Sequence, residues 1–441
     1  MQANAAVCPS VINADGKYSD YFKLGRVHRD LYVDENIFRE EMTHLFGGTW
    51  VYVAHETEIP NAGDYVVRTI GRRPVIVVRD DDGAVNVLFN RCSHRGATLC
   101  REDKGTAQSF TCPYHAWSFA KDGKCIGLPL REGFGKSTDD FEYDLGRPAQ
   151  VESYRGFVFA TIKAQKTLLE HLGGAAAVLD QWIDRNPGSD LIVHNGNMSF
   201  EMRTNWKCVY DNAADGYHVP FSHESMLRLL EKRYGDVDIS YYAGDFDQAP
   251  LMVKDLGNGH TLLDQRPLMH KASAWERQHV LPGREILWSN LNDQLGAEEA
   301  LRLLDASTGS GMNLNIFPNL MIIGNQIQVV EPISASRCIS HWYSTSLTNV
   351  PPEINAIRMR MQEDFPTFGE VDDAANFEAC QTGLEEIPEV EWIHIGRHLD
   401  SGKGGEDVDG FWKEPVSTDL HPRAYWRAWR ELMEAPKDME K

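Results

Sequence analysis

Two short segments decide the fold of the N-terminal part of this 441-residue chain: Arg91-Cys92-Ser93-His94-Arg95-Gly96 and Cys112-Pro113-Tyr114-His115-Ala116-Trp117. The first contains a C-x-H unit and the second a C-x-x-H unit, and 17 residues lie between His94 and Cys112. The eight cysteines of the chain are too few for a disulfide-built scaffold. Cysteine and histidine at such close spacing are typical of metal ligands in a reducing compartment.

The distribution of these side chains indicates which metal they bind. Zinc modules usually pair C-x-x-C with a separate histidine pair, whereas here each segment supplies one cysteine and one histidine. This arrangement suits a [2Fe–2S] cluster of the Rieske type, in which two thiolates bind one iron and two imidazoles bind the other. We therefore predict that the cluster ligands are Cys92, His94, Cys112 and His115. A zinc site made of the same four residues is the competing interpretation.

The sequence around these segments is typical of short strands. Runs rich in β-branched and aromatic residues, such as 64–70 and 85–89, alternate with turns of Gly, Pro and Asp. Asp81-Asp82-Gly83 and Lys121-Asp122-Gly123 are hairpin-turn patterns. We predict a small all-β domain over residues 47–163 that presents the four ligands on two loops.

A second group of candidate ligands follows about a hundred residues later, in Asp211-Asn212-Ala213-Ala214-Asp215-Gly216-Tyr217-His218-Val219-Pro220-Phe221-Ser222-His223. Asp215 and His218 are three residues apart and would share one face of a helix. His218 and His223 would point about 140° apart on a regular helix, so Pro220 is predicted to interrupt the helix and let both rings reach one ion. Two such histidines with a carboxylate are typical of a non-haem Fe(II) site, although an H-x₄-H pattern alone is as typical of two ordinary histidines.

The remainder of the chain mixes helices and strands, so the predicted fold class is α+β. Helices are expected over 34–46, 167–182, 352–364 and 422–433, and strands over 191–194, 315–317, 327–330 and 341–343. The stretch 234–311 is expected to be irregular. The sequence has no G-x-G-x-x-G after a strand and no Walker loop, so no dinucleotide or ATP site is expected.

Composition and charge narrow the function further. The chain has 65 acidic and 44 basic side chains, and its formal net charge of −21 would repel nucleic acid and anionic lipid. Its 42% hydrophobic residues are ordinary for a globular protein, and no apolar run is long enough to span a membrane. Residues 1–13 lack a signal-peptide pattern. We therefore expect a cytoplasmic protein that binds neither nucleic acid nor membrane.

The order and separation of the two motifs resemble those of the large (alpha) subunits of Rieske non-haem iron aromatic-ring-hydroxylating dioxygenases. The resemblance extends over nearly the whole chain, including the segments 205–207, 411–412 and 425–429. It implies that residues 1–46 and 164–441 form the catalytic mononuclear iron domain, with an antiparallel sheet flanked by helices.

The resemblance also implies the third iron ligand beside His218 and His223. It is an aspartate of the segment 369–378, with Asp373 in the ligand place and Asp372 as the alternative. On the sequence alone, both carboxylates are equally consistent with the solvated start of a helix.

By the same resemblance, Asp215 would link His218 to the cluster ligand His115 of a neighbouring subunit, and Asn212 would lie beside the iron. An exposed helix carboxylate is the alternative for Asp215. The family forms a homotrimer, commonly with three small beta subunits, because the cluster and the iron of one chain are too far apart for fast electron transfer. A separate reductase, with or without a ferredoxin, would supply electrons from NAD(P)H.

The activity implied is the addition of both atoms of O₂ to an aromatic ring as a cis-dihydrodiol. The run 214–219 resembles that of large subunits acting on benzoate-type acids. A Rieske monooxygenase or demethylase of similar architecture is the second interpretation, and an electron carrier holding only the cluster is the third. Candidate substrate-pocket residues are mostly apolar: Ala213, Val219, Phe221, Leu320, Met321, Ile322 and Ile323.

Overall fold

The computed structural model describes residues 16–136, 142–225, 251–266, 284–308 and 311–435, together with 228 and 232. The chain divides into two compact units, one formed by Met42–His171 and the other by Met1–Glu41 with Leu172–Lys441. The described residues contain both strands and helices, so the predicted α+β class is confirmed.

The elements are numbered along the chain. The strands are β1 Phe22–Lys23, β2 Arg26–His28, β3 Val51–His55, β4 Asp64–Ile70, β5 Arg73–Arg79, β6 Val85–Phe89, β7 Lys104–Thr106, β8 Phe110–Thr111, β9 Ser118–Phe119, β10 Cys125–Gly127, β11 Gln150–Tyr154, β12 Phe157–Thr161, β13 Leu191–Met202, β14 Met252–Gly257, β15 His260–Asp264, β16 Met312–Ile316, β17 Leu320–Ile323, β18 Gln326–Ser334, β19 Arg337–Leu347, β20 Trp392–His394, β21 Gly405–Glu406 and β22 Trp412–Pro415. The α-helices are α1 Asp30–Val33, α2 Glu35–Glu40, α3 Leu168–Leu172, α4 Gly174–Ile183, α5 Trp206–Asn212, α6 Val219–Ser222, α7 Arg284–Leu295, α8 Ala297–Thr308, α9 Pro352–Glu386 and α10 Leu420–Met433.

The smaller unit is built from antiparallel strands. Among the described residues they form three sheets, in the orders β6-β5-β4-β7, β10-β9-β8 and β11-β12-β3. Both predicted hairpin turns are present, because Gly83 (φ 86°) joins β5 to β6 and Gly123 (φ 88°) joins β9 to β10. Glycine adopts a positive φ without the steric cost of a Cβ, so these two residues fix the turns.

The smaller unit is wider than the predicted range 47–163 at both ends. Before that range, Met42 packs against the turn at Gly71, where an added Cβ would meet Met42 Sδ at 3.1 Å. After that range, the carbonyl of Lys166 accepts a 2.8 Å hydrogen bond from Trp50 Nε1. Residues outside the strands therefore complete this unit, and a strand pattern does not reveal them.

The larger unit is organised by a long antiparallel sheet. Within the described ranges, nine strands follow the order β13-β19-β18-β17-β16-β15-β14-β22-β21, and β1-β2-β20 form a separate small sheet. Helix α9 packs against β19, β13 and α8, whereas α10 packs against β14 and β15. Helix α5 lies on β18 and β19, and α6 contacts α9. The predicted sheet flanked by helices is confirmed, and it supports the segments that carry the second group of ligands.

Three predicted helices differ in extent from the observed ones. The helix expected over 34–46 is α2 followed by a π-helical turn at Glu41–Leu45. The helix expected over 167–182 is divided into α3 and α4 at Gly173, whose φ of 48° ends the first of them. Helix α9 begins where expected but continues to Glu386 and accommodates Pro366 within it.

The expectation of an irregular stretch over 234–311 is wrong for its described residues. They form β14, β15, α7 and α8, of which α7 is mostly exposed and polar and so has little apolar periodicity to detect. The remaining parts of that stretch, 234–250, 267–283 and 309–310, lie outside the described residues. No helix in the described part of the chain is both long enough and apolar enough to cross a membrane.

A buried ion pair joins the start of the chain to α5. Lys207 Nζ lies 2.6 Å from Glu41 Oε1, and both side chains are fully buried. The indole N–H groups of Trp206 and Trp429 also donate to the Glu41 carboxylate, at 2.9 and 2.8 Å. We expect Glu41→Ala to lower the free energy of unfolding by about 3–5 kcal/mol, because the ammonium of Lys207 would remain buried without its partner.

Urea unfolding of the variant measures this loss. The matched control is Glu299→Ala, which removes a partly exposed pair with Arg302 and should change the free energy of unfolding by less than about 1 kcal/mol. Equal effects of the two substitutions would contradict the assignment of the larger loss to burial.

Candidate metal centres

The two Cys/His segments form two loops of the smaller unit. Cys92 follows β6 and Cys112 follows β8; both are buried, with 1% and 3% of their surface exposed, and their side chains interact directly. In each loop the backbone closes a turn on the cysteine, since the N–H of Gly96 donates to Cys92 O at 2.9 Å and the N–H of Ala116 donates to Cys112 O at 3.0 Å. The two loops thus bring the thiols of Cys92 and Cys112 together in one buried position.

His94 and His115 lie beside this place, and both are partly exposed. Their ring centroids are 4.6 Å apart, and the indole of Trp117 stacks on His94 at 4.6 Å. His115 Nδ1 is buried and makes no hydrogen bond among the described residues. An unpaired ring nitrogen beside a second imidazole and two thiols fits the donor set of a Rieske cluster.

The second group of candidate ligands is held by segments of the larger unit. Residues 213–217 form no helix, and α6 begins directly after His218 and ends before His223. The interruption predicted at Pro220 therefore falls earlier, and Pro220 lies in the first turn of α6, where its missing N–H leaves no helical bond unmade. The shared helical face predicted for Asp215 and His218 is also wrong, because Asp215 lies in the non-helical stretch.

Three side chains converge at this site. His218 Nε2 and His223 Nε2 lie 3.6 and 3.3 Å from Asp373 Oδ1. One ligand atom of each residue lies within 4.8 Å of the other two. Asp373 reaches the imidazoles from α9 and is buried. Two imidazoles and one carboxylate are the donor set of a non-haem Fe(II) site with open positions, so these residues fit that metal.

Carboxylates also contact the outer nitrogens of both rings. Asp215 Oδ2 is 3.5 Å from His218 Nδ1, and Asp372 Oδ2 is 3.4 Å from His223 Nδ1. A carboxylate at Nδ1 fixes the orientation of the ring and leaves the Nε2 lone pair for a metal. The structure thus separates the two candidate aspartates, since Asp373 faces the inner nitrogens of both rings and Asp372 faces the outer nitrogen of one.

Burial and charge oppose each other at these residues. Burial lowers the pKa of His218, but the carboxylates of Asp215 and Asp373 outweigh it, so the pKa is raised. Burial raises the pKa of Asp373, although both imidazoles and a 3.1 Å hydrogen bond donated by Asn212 Nδ2 favour its charged form. A bound cation would offset the repulsion between Asp373 and the neighbouring carboxylate of Asp372. Asn212, which was predicted to lie beside the iron, is thus hydrogen-bonded to Asp373.

A cavity of about 500 Å³ opens beside these residues. Its polar border includes three aspartates, and its apolar border comes from the second half of α9 and the segment that leads into β20. The bordering residues are Tyr32, Cys208, Asp211, Asn212, Asp215, His218, Ser222, Asp373, Asn376, Phe377, Cys380, Gly383, Leu384, Ile387, Val390, Trp392 and Ile393. None of the seven predicted pocket residues is among them. Leu320, Met321 and Ile322 are instead fully buried in β17, and Phe221 is exposed.

Tyr32 and Asp211 border this cavity and are hydrogen-bonded to each other, but neither was predicted as a site residue. Tyr32 lies in α1, far from the metal motif in sequence, and its hydroxyl donates a 2.8 Å hydrogen bond to Asp211 Oδ2. Asp211 immediately precedes Asn212 in the quoted motif, so its position was a signal that the prediction did not use. No local pattern marks Tyr32, which the fold alone brings to the site.

The fold and the two sets of ligands together define a Rieske-type non-haem iron oxygenase. Residues 49–151 match the Rieske [2Fe-2S] domain family, and residues 189–435 match the ring hydroxylating alpha subunit (catalytic domain) family. The chain therefore belongs to the ring-hydroxylating alpha subunits, which are oxidoreductases that carry a Rieske cluster and a mononuclear iron. The predicted family, enzyme class and cofactors are confirmed.

Individual relatives and a solved structure agree with this membership. The chain is 34% identical, over 87% of its length, to the 2-halobenzoate 1,2-dioxygenase large subunit of Burkholderia cepacia, 82% of which it covers. It is 42% identical, over 49% of its length, to the N,N-dimethyl phenylurea N-demethylase subunit alpha of Sphingobium sp. (strain YBL2), 47% of which it covers. A structure of naphthalene 1,2-dioxygenase with indole bound matches 96% of this chain and 95% of its own with a TM-score of 0.76 at 24% identity, which supports the fold.

Proposed function

We propose that this chain is the terminal oxygenase component of a system that uses NAD(P)H-derived electrons and O₂ to cis-dihydroxylate a benzoate-type aromatic acid. The observation that carries the proposal is the convergence of His218, His223 and Asp373 in a chain that also holds the paired Cys/His loops. A redox cluster needs an acceptor for its electrons, and a site suited to non-haem iron with open positions is such an acceptor.

We assign the [2Fe–2S] cluster to Cys92, His94, Cys112 and His115, and the mononuclear iron to His218, His223 and Asp373. When bound, the cluster stores one electron and the mononuclear iron supplies the chemistry that activates O₂.

The chain itself orients the iron ligands. Asp215 and Asp372 hold the Nδ1 sides of the two imidazoles, so that both Nε2 lone pairs point inward. Asn212 donates to Asp373 Oδ2 and leaves Oδ1 facing the imidazoles. Fixed ligands keep the remaining positions around the metal available for O₂.

The proposed substrate class rests on the run 214–219 and on the halobenzoate dioxygenase relative. The cavity beside Asp215 does not suit such an acid, because its described border contains Asp211, Asp215 and Asp373 and no lysine or arginine. A substrate carboxylate would be repelled there. We infer that this cavity serves a different partner.

That partner is a second copy of the chain. An acidic cavity attracts a group that donates hydrogen bonds, such as the imidazole of the partner subunit's His115. Ile387 and Val390 border the cavity and are 51% and 64% exposed, so an apolar rim is available to be covered by protein. We propose a homotrimer, with or without small beta subunits, that receives electrons from a reductase or ferredoxin. A cytoplasmic location remains a prediction, in keeping with a supply of NAD(P)H.

Metal analysis and turnover with isotopic oxygen test the proposed function. The purified protein should contain three iron atoms and two sulfides per chain, two of the irons in the cluster. With a reductase, NADH and a panel of aromatic acids under ¹⁸O₂, we expect one acid to yield a diol that carries two labelled oxygens. A protein with three irons that oxygenates no member of the panel would contradict the substrate class.

A monooxygenase or demethylase activity is the second candidate, and the demethylase relative is the observation that favours it. The same experiment separates the two candidates, because a monooxygenase would place one labelled atom in the product and the other in water. The electron-carrier interpretation is not supported, because more than half of the chain matches the catalytic-domain family.

A further inference from the structure

Asp211 is a partly buried carboxylate whose hydrogen bonds to two tyrosines serve none of the roles proposed so far. It lies near the end of α5 and borders the same cavity as Asp215 and His218. Two tyrosine hydroxyls donate to it: Tyr32 to Oδ2 at 2.8 Å and Tyr425 to Oδ1 at 2.5 Å. The two hydroxyl oxygens are themselves 3.4 Å apart. Asp211 and its two tyrosines therefore form one connected group, one side of which meets the cavity.

The surroundings of Asp211 favour neither of its charge states strongly. Burial raises the pKa of Asp211 to about 7, against the opposing effect of the two tyrosine hydrogen bonds and of Lys207. The titratable and charged groups that act on it from every side are Lys207 and Cys208 on α5, Asp215 after α5, Tyr32 on α1, Tyr425 on α10 and Cys380 on α9. Near neutral pH both the acid and the carboxylate are populated.

The proposed reaction needs protons at this place. Conversion of an aromatic ring and O₂ into a dihydrodiol adds two electrons and two protons to the reactants. The electrons come from the reductase and the protons ultimately from solvent. A group that exchanges a proton near neutral pH, next to the residue proposed to bring the electrons, is suited to deliver protons together with them.

We propose that Asp211 is the proton-holding residue of this cavity. The O–H bond of its acid form breaks, and the proton passes to water in the cavity as electrons arrive past Asp215. The carboxylate left behind is stabilised by the hydroxyls of Tyr32 and Tyr425, and it takes a proton back from solvent through the cavity. This proposal rests on the proposed oxygenase function.

The test compares wild type and Asp211→Asn, each loaded with both metal centres, in a single turnover of the chemically reduced enzyme with O₂ and an aromatic acid. We expect the wild-type rate to fall as the pH rises through about 7, because the acid form is lost. The rate of Asp211→Asn should be lower by on the order of 100-fold and should lack this inflection. Of the infrared bands of protonated carboxyls that titrate near neutrality in wild type, the one due to Asp211 should be missing from the variant, while that of Glu370 should remain.

Two tyrosine variants sharpen the test. Tyr425→Phe removes a hydrogen bond that favours the ionised form, so the inflection should move to higher pH. Tyr210→Phe is the matched control. It removes a buried hydroxyl from α5, the helix that carries Asp211, and this hydroxyl donates to the carbonyl of Gly259, 3.4 Å away. The variant should keep the wild-type inflection. Iron content and melting temperature check that each variant is folded and loaded.

The outcomes separate this proposal from the one on which it rests. If wild type oxygenates no aromatic acid, the proposed function is at fault, and the infrared titration still tests Asp211. If wild type is active while Asp211→Asn keeps both the pH inflection and the infrared band, the role of Asp211 is overturned. An inflection that Tyr210→Phe shifts as far as Tyr425→Phe would also overturn it.

Discussion

Asp373→Ala is expected to lose the mononuclear iron and all oxygenase turnover while it keeps the [2Fe–2S] cluster. Asp373 Oδ1 lies 3.6 and 3.3 Å from the Nε2 atoms of His218 and His223, so its removal takes the only carboxylate that faces both inner nitrogens in the described residues. The remaining two imidazoles do not form the 2-His-1-carboxylate set that holds Fe(II). The proposed cluster ligands lie in the other unit, so the substitution leaves them unchanged.

Iron and sulfide analysis measures this prediction. Iron should fall from three atoms per chain to two, while sulfide and the visible spectrum of the cluster stay at wild-type values. The matched control is Asp372→Ala, one residue away on the same helix. The Asp372 carboxylate contacts His223 Nδ1. Its removal should reduce iron affinity by about 10–100-fold without abolishing binding. The opposite ranking, with Asp372→Ala empty and Asp373→Ala filled, would reverse the assignment of the ligand.

The cluster site was the part most open to prediction from sequence. Cys92 and His94, like Cys112 and His115, are close in sequence, so a single loop places each pair and no distant element has to be known. The hairpin turns at Gly83 and Gly123 were equally local, because each needs only a residue that tolerates positive φ. Patterns that are local in sequence were therefore sufficient to predict these features of the smaller unit, but not the flanking residues that complete it.

The iron site depended on tertiary structure. Asp372 and Asp373 are adjacent in sequence, and only the rotation of α9 about its axis decides which of them faces the imidazoles. The break falls over residues 213–218, on the N-terminal side of Pro220, and a short new helix begins beside this proline. Tyr32 reaches Asp211 across 179 residues of sequence, and such a contact leaves no pattern in a single chain.

The seven apolar residues predicted to line a substrate pocket do not border the described cavity, for a related reason, and their role stays a prediction. Met321 and Ile322 belong to β17, which is paired on both sides within the long sheet, so their side chains fill the core. These residues were predicted to line a pocket because apolar side chains suit an aromatic ligand, but apolar side chains suit the core of a sheet equally well. The border of the cavity comes instead from α9 and from the segment leading into β20, whose residues carry no distinguishing composition.

Asp215→Ala is expected to leave both metal centres filled and to stop electrons from reaching the iron. Asp215 Oδ2 is 3.5 Å from His218 Nδ1, and its Oδ1 accepts a 2.6 Å hydrogen bond from the N–H of Tyr217. The side chain is 34% exposed and borders the cavity. It is thus fixed against the proposed iron ligand His218 on one side and open on the other, where the proposed hydrogen bond from the partner subunit's His115 would form. Removal of the carboxylate would break that connection without removing an inner ligand.

Re-oxidation of the chemically reduced cluster by O₂, in the presence of an aromatic acid, reports the electron that leaves it. We expect the rate in Asp215→Ala to fall by about 100-fold or more, with three irons per chain retained. Asp372→Ala again provides the comparison. Asp372 contacts the other imidazole, that of His223, but does not border the cavity. Those Asp372→Ala molecules that retain iron should therefore re-oxidise at close to the wild-type rate. If Asp215→Ala re-oxidised at the wild-type rate while fully loaded with iron, the electrons would have to reach His218 by a route that does not use this carboxylate.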